Sequence, residues 1–179
     1  MERKHYGLEL YRRGVAPRLV LSVGRFEVSR MRQINLPRMD ELVALRDQTP
    51  AEERHFFVSV DSSGVRVDKA NAPRWNTYGE ALALRRLLLG DCARTVVVIS
   101  TNIHLRRVAL AFAKTFGDVP IEFCYEAVPY DHGSVRRDGW WVRPKDRRYV
   151  FMEAIKLAGY RIILTMPAWA VRRIFRLKQ

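Results

Sequence analysis

Cysteine and histidine are scarce in this chain, and acidic residues are few beside the basic ones. Two cysteines, Cys92 and Cys124, lie far apart and show no CxxC spacing, so they build no disulfide framework and suit a reducing compartment. With only four histidines, the sequence offers no metal-ligand spacing. It contains no GxGxxG, GxxxxGK[ST], HExxH or GxSxG motif, which argues against a phosphate-loop nucleotidase, a zinc hydrolase and a triad hydrolase of the GxSxG type. No stretch reaches the ~18 apolar residues of a membrane span. The first residues, Met1-Glu2-Arg3-Lys4-His5, lack the apolar run of a signal peptide. The chain as written is expected in the cytoplasm, either free or peripheral at the plasma membrane.

The shortage of acids is the most informative. Against 19 Asp and Glu stand 32 Lys and Arg, for a net charge of +13 over 179 residues. A field of that sign favours nucleic acid, an anionic membrane surface or phosphorylated small molecules. It is also what a plainly solvated, arginine-rich surface shows. No aromatic–basic motif or helix-turn-helix signature accompanies it, so nucleic acid is expected to bind without sequence preference.

What is present reads as one α/β domain over 1–166, followed by a basic amphipathic tail over 167–179. Four short runs rich in Val, Ile and Phe are predicted strands: Arg18–Val23, His55–Val60, Thr95–Ser100 and Ile121–Val128. The almost wholly apolar run at Thr95–Ser100 suits a parallel strand covered on both faces, and Cys124 falls in a run expected to enter the core. Helical patterns lie between the strands, at Tyr6–Arg13 with Gly14 as its cap, Met39–Arg46, Thr77–Leu89, Asn102–Phe116 and about 147–166. Asn102–Phe116 carries Leu105, Val108, Ala109, Phe112 and Phe116 as an apolar stripe. The alternation predicts a mainly parallel sheet in a three-layer sandwich, with a long loop from Pro129 to Pro144.

In such sheets ligands gather at the carboxyl ends of strands, where helix starts offer unpaired N–H groups. One strand delivers Ser22, Gly24 and Arg25. Another delivers Ser100, Thr101 and Asn102 into a helix start, where Thr101 or Asn102 is expected to cap. His104 and Arg107 follow, three residues apart on one face. His104 can donate to an anion or act as a general acid or base, and Arg107 can clamp a carboxylate or phosphate. Both are placed beside the apolar stripe, so alanine at either is expected to weaken ligand binding with little loss of stability. Thr77-Tyr78-Gly79-Glu80 has the spacing of a capping box, with Thr77 at the cap and Glu80 answering it. Asn76, which the box does not need, joins the ligand candidates with Thr77; Glu80 stands beside His104 as a catalytic candidate.

At these residues the chain resembles the ElyC/SanA/YdcF group of bacterial proteins. Leu10-Tyr11-Arg12-Arg13-Gly14-Val15-Ala16-Pro17 is similar to the group's LY-x-x-G-x-AP turn, and Ser22-Val23-Gly24 to its Ser-Gly-Gly strand end, with Val23 in place of the first Gly. Asn76, Thr77 and Glu80 match its Asn-Thr helix start. Ser100-Thr101-Asn102-Ile103-His104-Leu105-Arg106-Arg107 is similar to its Thr-Ser-x-x-His-x-x-Arg segment, and Glu153-Ala154-Ile155-Lys156-Leu157 to its Glu-bearing closing helix. The resemblance implies a Rossmann-like fold and a role in the bacterial envelope, in peptidoglycan or lipid-carrier metabolism, with a lipid-linked phosphate or other anion as ligand. It also brings S-adenosylmethionine into view as a cofactor. Group members open on a strand and a Gly-rich loop, and this sequence opens almost at the first helix, so the first family strand is expected either to lie upstream of this start or to be missing.

Overall fold

The structure, a computed structural model, describes residues 1–70, 76–133 and 135–175. Where the sequence suggests one domain, the chain divides into two compact units between residues 75 and 76. The four tail residues 176–179 and Ser134 of the long loop lie outside the described residues.

The first unit is a three-stranded antiparallel sheet with helices. Helix α1 (Glu2–Arg12) runs farther back than its apolar pattern suggests. It closes on Gly14, whose φ of +78° lets the chain turn while Val15 N–H donates to Leu10 C=O. Strand β1 (Leu19–Gly24) leads to two helices, α2 (Val28–Met31) and α3 (Met39–Gln48), and then to β2 (His55–Asp61) and β3 (Gly64–Lys69). The order is β1-β2-β3, with Leu21 opposite Val58 and Val58 opposite Val67. β3 escaped the sequence reading, although the alternation of Val65 and Val67 with Arg66 and Asp68 is a strand pattern. The turn before it is set by Asp61, whose carboxylate accepts from both the N–H and the hydroxyl of Ser63. A link that short can join only antiparallel strands. Leu21, Val23, Met31, Leu42, Phe56 and Val58 form the heart of this unit's core.

The second unit holds α4 (Thr77–Gly90), β4 (Thr95–Thr101), α5 (Asn102–Phe116), β5 (Glu122–Val128), α6 (Pro144–Ile163) and α7 (Ala168–Ile174). β4 and β5 pair in parallel, Val97 opposite Cys124, and α5 supplies the long crossover that parallel pairing needs. Tyr78, Ala81, Phe112, Phe116, Tyr160 and Val171 anchor a second core. Phe112 and Phe123 meet edge-to-face with centroids 5.3 Å apart.

The chain is therefore α/β, but the mainly parallel sheet of a Rossmann-like sandwich is not what forms: one sheet is antiparallel and the parallel one has two strands. With so few strands, β4 is not covered on both faces, since Val96 and Val98 turn to the core while Val97 is exposed. Cys124, beside Val97, is exposed rather than buried. On α5 the buried rows are Arg107–Ala111–Thr115 and Val108–Phe112–Phe116, so the buried face is turned toward Arg107 relative to the expected stripe. Among the described residues no helix is long and apolar enough to cross a membrane.

Candidate functional site

The strand end of β1 belongs to the first unit, and its backbone donor is already in use. Gly24 N–H donates to the Glu27 carboxylate at 3.0 Å, and Lys4 donates to the other Glu27 oxygen at 2.9 Å. Burial pushes the Glu27 pKa up, but the Lys4 charge and the Gly24 N–H outweigh it and hold the carboxyl below its ordinary range. The chain's own anion thus sits where an external one was expected. Arg25 is exposed, its guanidinium 4.2 Å from the centre of the Phe26 ring. Ser22 is half-buried, and its hydroxyl has no hydrogen-bond partner among the described residues.

The second unit gathers the other candidates. Asn76, not Thr77, caps α4: its side-chain oxygen accepts from Gly79 N–H at 2.8 Å. Gly79, not Glu80, then stands three residues after the cap, so the reciprocal half of the capping box does not form. Thr77 becomes the first helical residue, and its hydroxyl is free to accept from Arg107 Nη1. Glu80 is half-buried in the first turn of the helix, and its side chain bonds to no described residue.

Arg107 is the centre of a buried polar cluster. Nε donates to Glu153 Oε2 at 3.1 Å, and Nη2 donates to Oε1 and Oε2 at 3.1 and 2.9 Å. Lys156 Nζ adds a bond to Oε1 at 2.9 Å, and the guanidinium lies 5.3 Å from the Tyr160 ring centre. The Tyr160 hydroxyl in turn accepts from Tyr78 N–H at 3.3 Å. α4, α5 and α6 are stitched together by these contacts. Arg107 is 9% exposed and Glu153 4%. Burial pushes the Glu153 pKa up; the hydrogen bonds from Lys156 and Arg107 and the Arg107 charge push it down, and they hold it far below the ordinary carboxylate range. Arg107 is thus a buried ion as well as a site candidate, and the premise for a small stability loss in Arg107→Ala, that it stands beside the core rather than in it, does not hold. Sequence periodicity places Arg107 on a helix but cannot show that a carboxylate waits opposite it. Glu153 enters the sequence reading only through the family resemblance, and Lys156 appears there only as its neighbour in the segment, without a role.

His104 borders this cluster. Its Nδ1 is 2.9 Å from Arg107 Nη2 and 3.3 Å from Glu153 Oε2. One ring nitrogen cannot serve both. The guanidinium can only donate, so at the shorter contact Nδ1 accepts and the ring proton sits on Nε2. Nε2 then presents an N–H that no described residue takes.

Ser100 and Thr101 close the list. Ser100 is 2% exposed, and neither its hydroxyl nor that of Thr101 finds a partner among the described residues. Thr101 holds the N-cap position of α5, yet its side chain makes no capping bond. The expected cap is therefore missing, and the first N–H groups of α5 keep their donors. A cavity of about 20 Å³ opens here, lined by Thr101, Asn102, Ile103, Val128, Tyr130 and Tyr149, with the acidic side chain of Glu2 on its wall as well. That volume holds a water or one oxygen of an anion, not a whole cofactor. Among the described residues no group of His, Cys, Asp and Glu could hold a metal ion. No protein-family model matches this chain, and no curated protein or solved structure matches it.

Proposed function

We propose that the second unit binds an anionic ligand, phosphorylated or carboxylated, at the β4–α5 junction. The observation that carries this reading is the uncapped start of α5 beside two buried hydroxyls, Ser100 and Thr101, that lack partners. A buried hydroxyl without a partner costs about 1–3 kcal/mol, and a ligand oxygen at the Thr101 cavity would relieve part of that cost. The helix dipole favours negative charge at the same point. His104, its ring oriented by Arg107, adds an Nε2–H donor. Arg107 itself is committed to Glu153, so its role here is to hold His104 rather than to clamp the ligand.

The resemblance to the ElyC/SanA/YdcF group supplies the setting for this proposal: envelope polymer synthesis, with a lipid-linked phosphate or a nucleotide-sugar as ligand class. The small cavity fits an anion whose bulk stays outside. Melting curves of the full chain with inorganic phosphate, an undecaprenyl phosphate analogue, a nucleotide-sugar and S-adenosylmethionine test it. A ligand that binds only the folded state raises Tm with the logarithm of its concentration over Kd. The proposal expects a phosphate-bearing probe to do so, and Thr101→Val, which leaves the charge unchanged, to weaken the effect. An equal response in Thr101→Val would mean that the +13 charge alone attracts the anion and would overturn the site. A response to S-adenosylmethionine alone would transfer the junction to the cofactor reading.

A further inference from the structure

Helix α6 is amphipathic in the reverse sense. Its inward row is Asp146, Glu153, Tyr160 and Leu164, all buried and two of them carboxylic acids. On the opposite side Phe151, Ile155, Ala158 and Ile162 follow the spacing of a single helix face. Phe151 is 64% exposed, Ile155 51% and Ile162 65%. The row runs about 16 Å along the axis at the helical rise. Single exposed apolar side chains are ordinary, but a continuous row of them marks a contact surface.

The charges around the row have one sign. Lys145, Arg147, Arg148 and Arg161 are exposed on α6, and the three arginines pair with no described residue. Both acids of the helix are turned inward, Asp146 to Arg143 and Glu153 to Arg107 and Lys156. The outer face therefore offers apolar side chains and cations only. Just ahead of the helix, Trp141 and Val142 are exposed as well.

We infer that the outer face of α6 docks on the surface of an anionic bilayer. An anionic leaflet neutralises the arginines while Phe151, Ile155 and Ile162 enter the boundary between headgroups and acyl chains. Arginine stems can lie along that boundary with their heads in water. A second copy of the chain fits less well, since its own row would bring the same unpaired cations against these. The basic amphipathic tail is only partly suited to such a contact. Val171 and Phe175 pack into the core with Tyr78 and Tyr160, leaving Trp169 and Ile174 outward.

Flotation of the full chain with vesicles tests the inference, using phosphatidylcholine alone or mixed with phosphatidylglycerol. Wild type should float with the anionic vesicles only, and less at high salt. F151Q/I155Q/I162Q keeps the charge and removes only exposed side chains, so its melting curve should be unchanged and its partitioning at least about tenfold weaker. R147Q/R148Q/R161Q should lose binding as well, and Ile155→Trp should strengthen it. If the glutamine variant partitions like wild type, net charge alone is responsible and the docking face is refuted. If wild type ignores anionic vesicles, the inference also fails. Light scattering would then show a second copy on the row, as a dimer that the glutamine variant splits; a monomer would leave the row to an acidic protein partner.

Discussion

Replacing Arg107 by alanine removes its hydrogen bonds to Glu153 and to Thr77. Glu153 stays behind, 4% exposed, with Lys156 as its remaining cation. Breaking a buried ion pair from one side costs about 3–5 kcal/mol, because the abandoned charge stays desolvated. Lys156 is about half exposed and can still reach Glu153, so the lower end, about 3 kcal/mol, is the expected loss. For a chain of this length that lowers Tm by roughly 6–12 °C. Removing both partners is a different perturbation: Arg107→Met with Glu153→Leu leaves no stranded charge, and such replacements are often close to neutral. The double variant should therefore be more stable than Arg107→Ala, and a double-mutant cycle should return a coupling of at least about 1.5 kcal/mol. Urea unfolding followed by circular dichroism measures all of this. A loss below about 1 kcal/mol for Arg107→Ala would refute the buried network as a structural element. So would additive behaviour in the cycle.

Two further outcomes follow from the geometry. Asn76→Ala should cost about 1 kcal/mol as a lost helix cap, and Thr77→Ala should not reproduce it through capping, since Asn76 and not Thr77 bonds to Gly79 N–H; equal effects at Gly79 in hydrogen exchange would restore the capping box. His55 is buried, and burial first, then the Arg25 charge, lowers its pKa to about 4, with Glu27 opposing. The unfolded chain therefore binds a proton at His55 before the folded one does, and stability present above pH 6.5 falls as pH drops toward 4. Between pH 6.5 and 4.5, ahead of the loss carried by Glu27 and Glu153, this amounts to about 2–3 kcal/mol. Unfolding of His55→Gln across that window should be flatter than wild type, and an unchanged slope would remove His55 as its source.

Periodicity by itself located α3, α4 and α5 and four of the five strands among the described residues, because burial of one face writes the spacing of apolar residues directly into the sequence. Gly14 announced the end of α1 for an equally local reason: few other residues accept its backbone angles. The direction of pairing was not local. Arg18–Val23 and His55–Val60 read as strands of a parallel sheet, and the antiparallel register appears only when β1, β2 and β3 are placed side by side. The site divides in the same way. Ser100, Thr101 and His104 could be named as candidates because a strand end followed by a helix start exposes backbone donors wherever it occurs. That Arg107 is committed to Glu153, some 46 positions away, and that Thr77 serves Arg107 instead of capping α4, depended on how three helices pack. Charge pairing inside a protein is decided by distances through space, and sequence spacing carries those distances only within one helix or one strand.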